Sequence, residues 1–182
     1  MRLFIAVDIE SDDLKRMVYE IQKYIKSTGV RATYPRLDDL HITLKFLGEI
    51  DGSLIDEIVR RLSFKKLERT KITIDDVGGF PNLSRPRVVF LDVNDVEGKL
   101  RVLQEYVETQ LANMFPRESR PFKPHITVAR IKQFFRFDER FISQIRSMVN
   151  KVDVEVTRFK LKESRLTQSG PIYRDVAVFE LV

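Results

Sequence analysis

The chain holds only two histidines, His41 and His125, and both open the tripeptide His-Ile-Thr, in "HITLKFLGEI" at 41–50 and "HITVARIK" at 125–132. The same 84-residue offset lays Ile5-Ala6-Val7-Asp8-Ile9 on Val89-Phe90-Leu91-Asp92-Val93 without a gap. A repeat of this kind constrains the fold before any composition is counted: one structure must be assembled from two copies of one unit. Copies of a unit usually pack about a pseudo-two-fold axis, which brings equivalent positions to a shared cleft.

Periodicity defines the unit as strand–helix–strand–helix–strand. In the first copy "RLFIAVDI" (2–9) alternates and is rich in β-formers, so it reads as a strand. Ser11 follows as an N-cap, with Leu14, Val18, Ile21 and Ile25 at helical spacing and Gly29 as a stop. The strand carrying "HITLKFLG" comes next, then a helix over 53–66 and a strand over 71–80 that ends in a Gly-Gly-Phe-Pro turn. The second copy reads as a strand at 87–93, a helix at 95–114 with Val96, Leu100, Leu103, Val107 and Leu111 on one face, and a strand at 125–131. A helix at 138–149 and two long strands, 151–164 and 172–181, complete it. The expected fold is α+β and bilobal, with antiparallel sheets lining a central cleft and helices outside. Domain organisation follows as one domain, 1–182, of two pseudo-symmetric lobes with interleaved terminal strands: a first repeat of about 2–80, a second of about 87–163 and a closing strand at 172–181.

Composition enters mainly by exclusion. The 182 residues contain no cysteine, which removes disulfides, thiolate nucleophiles and Cys-based zinc or iron–sulfur sites. No window approaches the roughly 20 apolar residues of a membrane span, and the apolar run at the N-terminus is too short for a signal peptide, so the expected location is cytoplasmic. A net charge of +5 favours a polyanionic partner only modestly. No GxxxxGK[ST] or GxGxxG loop is present to cradle a nucleotide.

What remains is imidazole and oxygen chemistry. Residues i and i+2 of a strand share a face, so His41 with Thr43, and His125 with Thr127, project together while Ile42, Leu44 and Phe46, and in the second copy Ile126 and Val128, take the apolar side. Two facing lobes would bring two imidazoles and two hydroxyls to one point. In-line displacement at phosphorus needs such a set: a base for the attacking hydroxyl or water, an acid for the leaving oxygen, and donors for the non-bridging oxygens. Histidine, with an ordinary pKa of about 6.5, serves as either acid or base. A lone strand histidine is more often a packing or surface residue, but chance placement of both in His-Ile-Thr is on the order of 1 in 10⁵ from ordinary residue usage. Zinc would need more ligands at closer spacing. Asp8 and Asp92 match between the copies, and an Asp ending a strand more often caps the next helix than binds metal.

The paired His-x-Thr-x motifs, with "RLFIAVDI", "PFKPHITVAR" and "LKESRLTQSGPIYRDV", resemble the 2H phosphoesterases over essentially the whole chain, and within them the bacterial and archaeal RNA 2′,3′-cyclic phosphodiesterases, historically called 2′-5′ RNA ligases. The resemblance implies hydrolysis of RNA 2′,3′-cyclic phosphate ends to 2′-phosphates, and in reverse an ATP-independent 2′-5′ joining. It implies His41 as the proton donor to O3′, His125 as the proton acceptor from water, and Thr43 and Thr127 beside them.

Further candidates for substrate binding are Arg130, Lys45, Tyr34 and Phe122. Arg130 suits bidentate phosphate binding, but strict alternation points it away from His125 unless a bulge intervenes; Lys45 lies on the His41 face by the same rule. Tyr34 and Phe122 would stack on a base. Arg31, Arg36, Arg117, Arg120 and Lys123 form basic approaches, and "FFRF" at 134–137 reads as an apolar cluster flanking a helix. The expectation is therefore a monomeric enzyme with no metal or other cofactor and no membrane, whose partner is RNA bearing a cyclic phosphate or a 2′-5′ linkage. An RNA-binding module without turnover, and a phosphodiesterase for a small cyclic phosphate, are the alternatives.

Overall fold

The structure, a computed structural model, describes residues 1–182. Strand β1 (Arg2–Asp8) leads into α1 (Asp12–Ser27), a two-residue β2 (Ala32–Thr33), β3 (His41–Glu49), α2 (Ile55–Leu62) and β4 (Thr70–Phe80). The pattern restarts with β5 (Val88–Asn94), α3 (Lys99–Leu111), β6 (His125–Ile131), α4 (Glu139–Ser147), β7 (Val152–Val156), β8 (Arg158–Thr167) and β9 (Gly170–Glu180). Every strand pairing is antiparallel, in a four-stranded sheet of order β3-β1-β8-β9 and a five-stranded sheet of order β2-β6-β5-β4-β7. The expected α+β class with antiparallel sheets holds.

The two copies are exchanged rather than set side by side. β4, from the first copy, pairs with β5 of the second, and β8, from the second, pairs with β1 of the first. Helices cross as well: α1 packs on β6 and α3 on β3. On α1 the buried Gln22 donates through Nε2 to the Val128 carbonyl at 3.1 Å, tying the first copy's helix to the second copy's histidine strand. Leu3, Ile5 and Ile42 of one sheet, Leu91, Ile126 and Val128 of the other, and Leu14, Ile21, Leu103 and Val107 of the helices form one continuous core. Each such side chain contributes about 1.5–3 kcal/mol on burial, so the geometry between the two histidine strands is held by most of the core.

Local chemistry sets the helix ends. The Ser11 hydroxyl accepts from the Leu14 N–H at 3.2 Å, with Asp12 and Asp13 in the first turn of α1; losing that cap would cost about 1 kcal/mol. Helix α3 starts later than its apolar spacing predicts. Gly98 takes a left-handed φ of 72°, and the Asp95 carboxylate accepts from the Leu100 and Arg101 N–H groups at 3.1 and 2.8 Å. Val96 therefore lies outside the helix and is exposed. α2 is also shorter than expected, with a 3₁₀ turn at Gly52–Leu54 before it and its last residue at Leu62.

The single strand expected over 151–164 is two strands in different sheets, parted at Thr157. Val154 and Val156 bury even-numbered side chains in the five-stranded sheet, whereas Phe159 and Leu161 bury odd-numbered ones in the four-stranded sheet. A strand that ran straight through would turn one of these sets to water, so the chain changes sheets where the parity changes.

Candidate active site

His41 and His125 are the first residues of β3 and β6, two strands of different sheets that lie against each other. Each stands opposite the matched aspartate of its neighbouring strand, His41 by Asp8 and His125 by Asp92. Each is half-buried and held by the same contact: His41 Nδ1 lies 2.7 Å from the Asp39 carbonyl, and His125 Nδ1 lies 2.8 Å from the Lys123 carbonyl. A carbonyl only accepts, so Nδ1 keeps its proton and Nε2 becomes the atom that takes up or releases one. The ring walls differ between the copies. His41 has Phe4 and an edge-on Tyr173, each at 5.4 Å, while His125 has Phe80 at 5.0 Å and Phe90 at 5.2 Å.

Burial pushes the pKa of both imidazoles below the ordinary value. The carbonyl contacts oppose this, and nearby cations reinforce it: Lys162 and Arg130 for His41, Arg130 and Lys123 for His125. The charge of Arg130 thus acts on both rings. The Thr43 and Thr127 side chains are half-exposed on the same faces as the histidines, so their hydroxyls are available to a ligand.

Matched bulges decide what else reaches the site. Along β3 the pairing with β1 skips Leu44, and along β6 the pairing with β5 skips Val128. A bulge reverses which face the following residues occupy. Arg130 therefore turns outward with His125 and Thr127, as phosphate binding requires, and its counterpart Phe46 turns outward with His41 and Thr43, 67% exposed.

The same reversal corrects the expectation for Lys45. Its ammonium is buried, 2.9 Å from Glu108 Oε2 on α3 and 2.9 Å from the Pro116 carbonyl, so it is not available to RNA phosphate. Tyr34 and Phe122 pack against the core and are not among the rings contacting either imidazole. Tyr34 has its ring under the Lys26 ammonium at 4.7 Å and its hydroxyl enclosed without a partner. Among the basic approaches, Arg117 pairs with Glu105 and Arg31 donates to the Lys132 carbonyl. Of the "FFRF" run, Phe137 is buried and stacks on Phe141, while Phe134 is exposed under Arg85.

Asp8 does not cap a helix. Its carboxylate bridges two lysines of β8, Lys162 at 2.6 Å and Lys160 at 2.8 Å, and Lys160 reaches on to Asp175 of β9 at 2.8 Å. Burial works to raise the Asp8 pKa, but the two lysines outweigh it and hold it below the usual carboxylate value. Lys162 is buried, acts on His41 through its charge and lies 5.9 Å from the Tyr173 ring centroid. Lys162 and Tyr173 escaped the sequence reading although both lie in the quoted C-terminal segment; two lysines at i and i+2 amid buried residues of one strand were the available signal. Asp92 is partly exposed, with Lys123 at 3.8 Å, and the following helix is capped by Asp95. No three His, Cys, Asp or Glu side chains gather as a metal-binding group.

An imidazole and a hydroxyl from each copy of a duplicated α+β unit, with the charge of Arg130 felt at both rings, are the groups that a two-histidine phosphoesterase would use. The LigT like Phosphoesterase family matches the chain twice, at residues 7–90 and 91–173, which begin at the same offset as the internal repeat. Among curated relatives, the RNA 2′,3′-cyclic phosphodiesterase of Archaeoglobus fulgidus is 39% identical, covering 99% of this chain and 100% of its own, and that of Thermotoga maritima is 33% identical over 96% and 92%. Among solved structures, TT0787 of Thermus thermophilus superimposes with a TM-score of 0.77 at 30% identity, covering 100% of this chain and 98% of its own. Escherichia coli LigT complexed with 3′-AMP shares the fold, with a TM-score of 0.75 at 22% identity over 99% and 97%. The chain belongs to the LigT-like phosphoesterase family.

Proposed function

We propose that this protein hydrolyses the 2′,3′-cyclic phosphate ends of RNA to 2′-phosphates, with His41 and His125 as the acid–base pair. The observation that carries the proposal is the matched fixing of both rings through Nδ1, which leaves two Nε2 atoms as the exchangeable positions at one site. Water attacks phosphorus as His125 Nε2 takes its proton; the P–O3′ bond breaks and O3′ receives the proton from His41 Nε2. The Thr43 and Thr127 hydroxyls and the Arg130 guanidinium hold the non-bridging oxygens as charge builds on them.

Lowered pKa values keep both rings neutral in the empty site at pH 7, and an anionic phosphodiester between them favours one imidazolium. The substrate thereby promotes the protonation state its leaving oxygen requires. A 5′-hydroxyl in place of water gives a 2′-5′ linkage by the same steps, since ring strain in the cyclic phosphate replaces nucleotide activation. The reaction asks for no metal, and a monomer in the cytoplasm suffices for it.

A short RNA ending in 2′,3′-cyclic phosphate, incubated in excess EDTA, tests the proposal. A 2′-phosphate made by the wild type, and at least about 10²-fold more slowly by His41→Ala and His125→Ala, is the expected result. Binding without turnover would indicate an RNA-binding module, and turnover indifferent to RNA length an enzyme for small cyclic phosphates.

A further inference from the structure

The positive charge of Arg130 continues past the cleft into a surface without counter-charge. Three segments meet at the end of β6 that carries it. Ile131 N–H donates to the Arg87 carbonyl at 2.8 Å, Lys132 N–H to the Arg31 carbonyl at 2.8 Å, and Phe137 N–H to the Ser84 carbonyl at 2.7 Å. These segments, 31–33, 84–87 and 130–137, carry Arg31, Arg85, Arg87, Arg130, Lys132 and Arg136 and no acid. Each of these cations is exposed and none joins a salt bridge. Asp138, the next acid along the chain, is turned to α4, where its carboxylate accepts from the Phe141 N–H at 2.8 Å. By contrast, Arg36, Arg117 and Lys123, among the basic approaches expected from sequence, are matched by Asp39, Glu105 and Asp92. Like charges gathered without acids repel one another, a cost that a polyanion removes. Among them stands Phe134, 81% exposed, with the Arg85 guanidinium 5.3 Å from its ring centroid. Cations interleaved with an open ring suit a single strand of nucleic acid, its phosphates on the one and a base on the other.

We propose that this surface holds the RNA strand upstream of its cyclic end, an inference that rests on reading the site as an RNA cyclic-phosphate hydrolase. The terminal phosphate sits by Arg130; the chain then leaves past Arg87 and Lys132 toward Arg85 and Arg136, with one upstream base on Phe134. Contacts to phosphates and to a ring face carry no sequence information, so the surface selects for length of strand and not for its sequence.

The test compares adenosine 2′,3′-cyclic phosphate with an oligoadenylate ending in the same cyclic phosphate. Wild type should favour the oligonucleotide in kcat/KM, and the preference should fall as salt rises. Arg85→Gln/Arg87→Gln/Arg136→Gln should lose most of the preference while keeping the mononucleotide rate. In that variant, oligonucleotide affinity read by fluorescence anisotropy should depend less on salt, its log–log slope shallower by about 0.7 for each charge removed. Arg85→Lys/Arg87→Lys/Arg136→Lys should restore the slope. Phe134→Ala should weaken turnover of the oligonucleotide alone, by about 10- to 100-fold, the worth of one stacked base, and Phe134→Trp should not. A preference that survives the triple Gln variant, or an equal loss on both substrates, overturns the surface and leaves the hydrolase reading standing. A wild type indifferent to length overturns it as well. If wild type turns over neither substrate, the hydrolase reading has failed, and anisotropy with the labelled oligoadenylate puts the question to the surface alone. Salt-dependent binding lost in the triple Gln variant then supports it, and binding that is unchanged there, or absent in wild type, refutes it.

Discussion

Replacing Lys45 with Met should destabilise the protein far more than it weakens any contact with RNA. The Lys45 and Glu108 side chains are each only 4% exposed, and their charged atoms lie 2.9 Å apart. Glu108 Oε1 already has no partner. Met keeps the unbranched shape, so little cavity forms, and the loss is that of a carboxylate left in the core without its cation. Such a loss costs about 3–5 kcal/mol, or on the order of 10 °C in Tm for a chain of this length. Removing both charges in Lys45→Met/Glu108→Leu should restore most of the deficit, because the pair's attraction is largely offset by its desolvation. Urea unfolding of the two single variants and the double variant forms a closed cycle whose coupling term reads the pair directly. A Lys45→Met protein as stable as wild type, with a salt-dependent rise in KM for RNA, would put the lysine on the substrate and refute the bulge as the reason for its burial.

Because burial lowers both imidazole pKa values, kcat/KM, which reports the free protein, should peak on the acid side of about 6.5. Lys162→Met should move the His41 limb to higher pH in that profile, since it removes a cation and leaves Asp8 less neutralised. A histidine whose folded pKa is depressed contributes stability that is full above its unfolded pKa and is lost as pH falls through the folded value. Urea unfolding at pH 7.5 and 5 should show wild type losing stability and His41→Asn losing less. At Gly78 an added Cβ would sit 2.8 Å from Cζ of Phe90, the ring beside His125, so Gly78→Ala should cost about 1–3 kcal/mol by overpacking, and Gly78→Ala/Phe90→Leu should recover much of it in the same assay.

The repeat was legible because a two-residue strand period and a fixed offset survive in the letters: Ile5 and Val7 announce β1 as Val89 and Leu91 announce β5. The positions of His41, Thr43, His125 and Thr127 on shared faces followed from the same period. Alternation failed where the backbone leaves its ladder. A bulge is set by the pairing of two strands and not by the residues of one, so Lys45, Phe46 and Arg130 were each read on the wrong face, or needed a condition that sequence could not supply. The break at Thr157 was present as a parity change between Val156 and Phe159, and a strand defined only by β-propensity ran across it. Lys162 and Tyr173 come to His41 through the exchange of β8 into the first copy's sheet, a long-range event with no local signature.

With only two histidines in the chain, ring-carbon NMR of the protein gives two titrating signals, and their pH dependence with and without adenosine 2′-phosphate reads both proposed catalytic groups at once. Both should titrate below about 6.5 in the free protein, and both should move to higher pH when the anion binds between them. A ring whose titration ignores the nucleotide, while the other responds, would contradict a two-imidazole site.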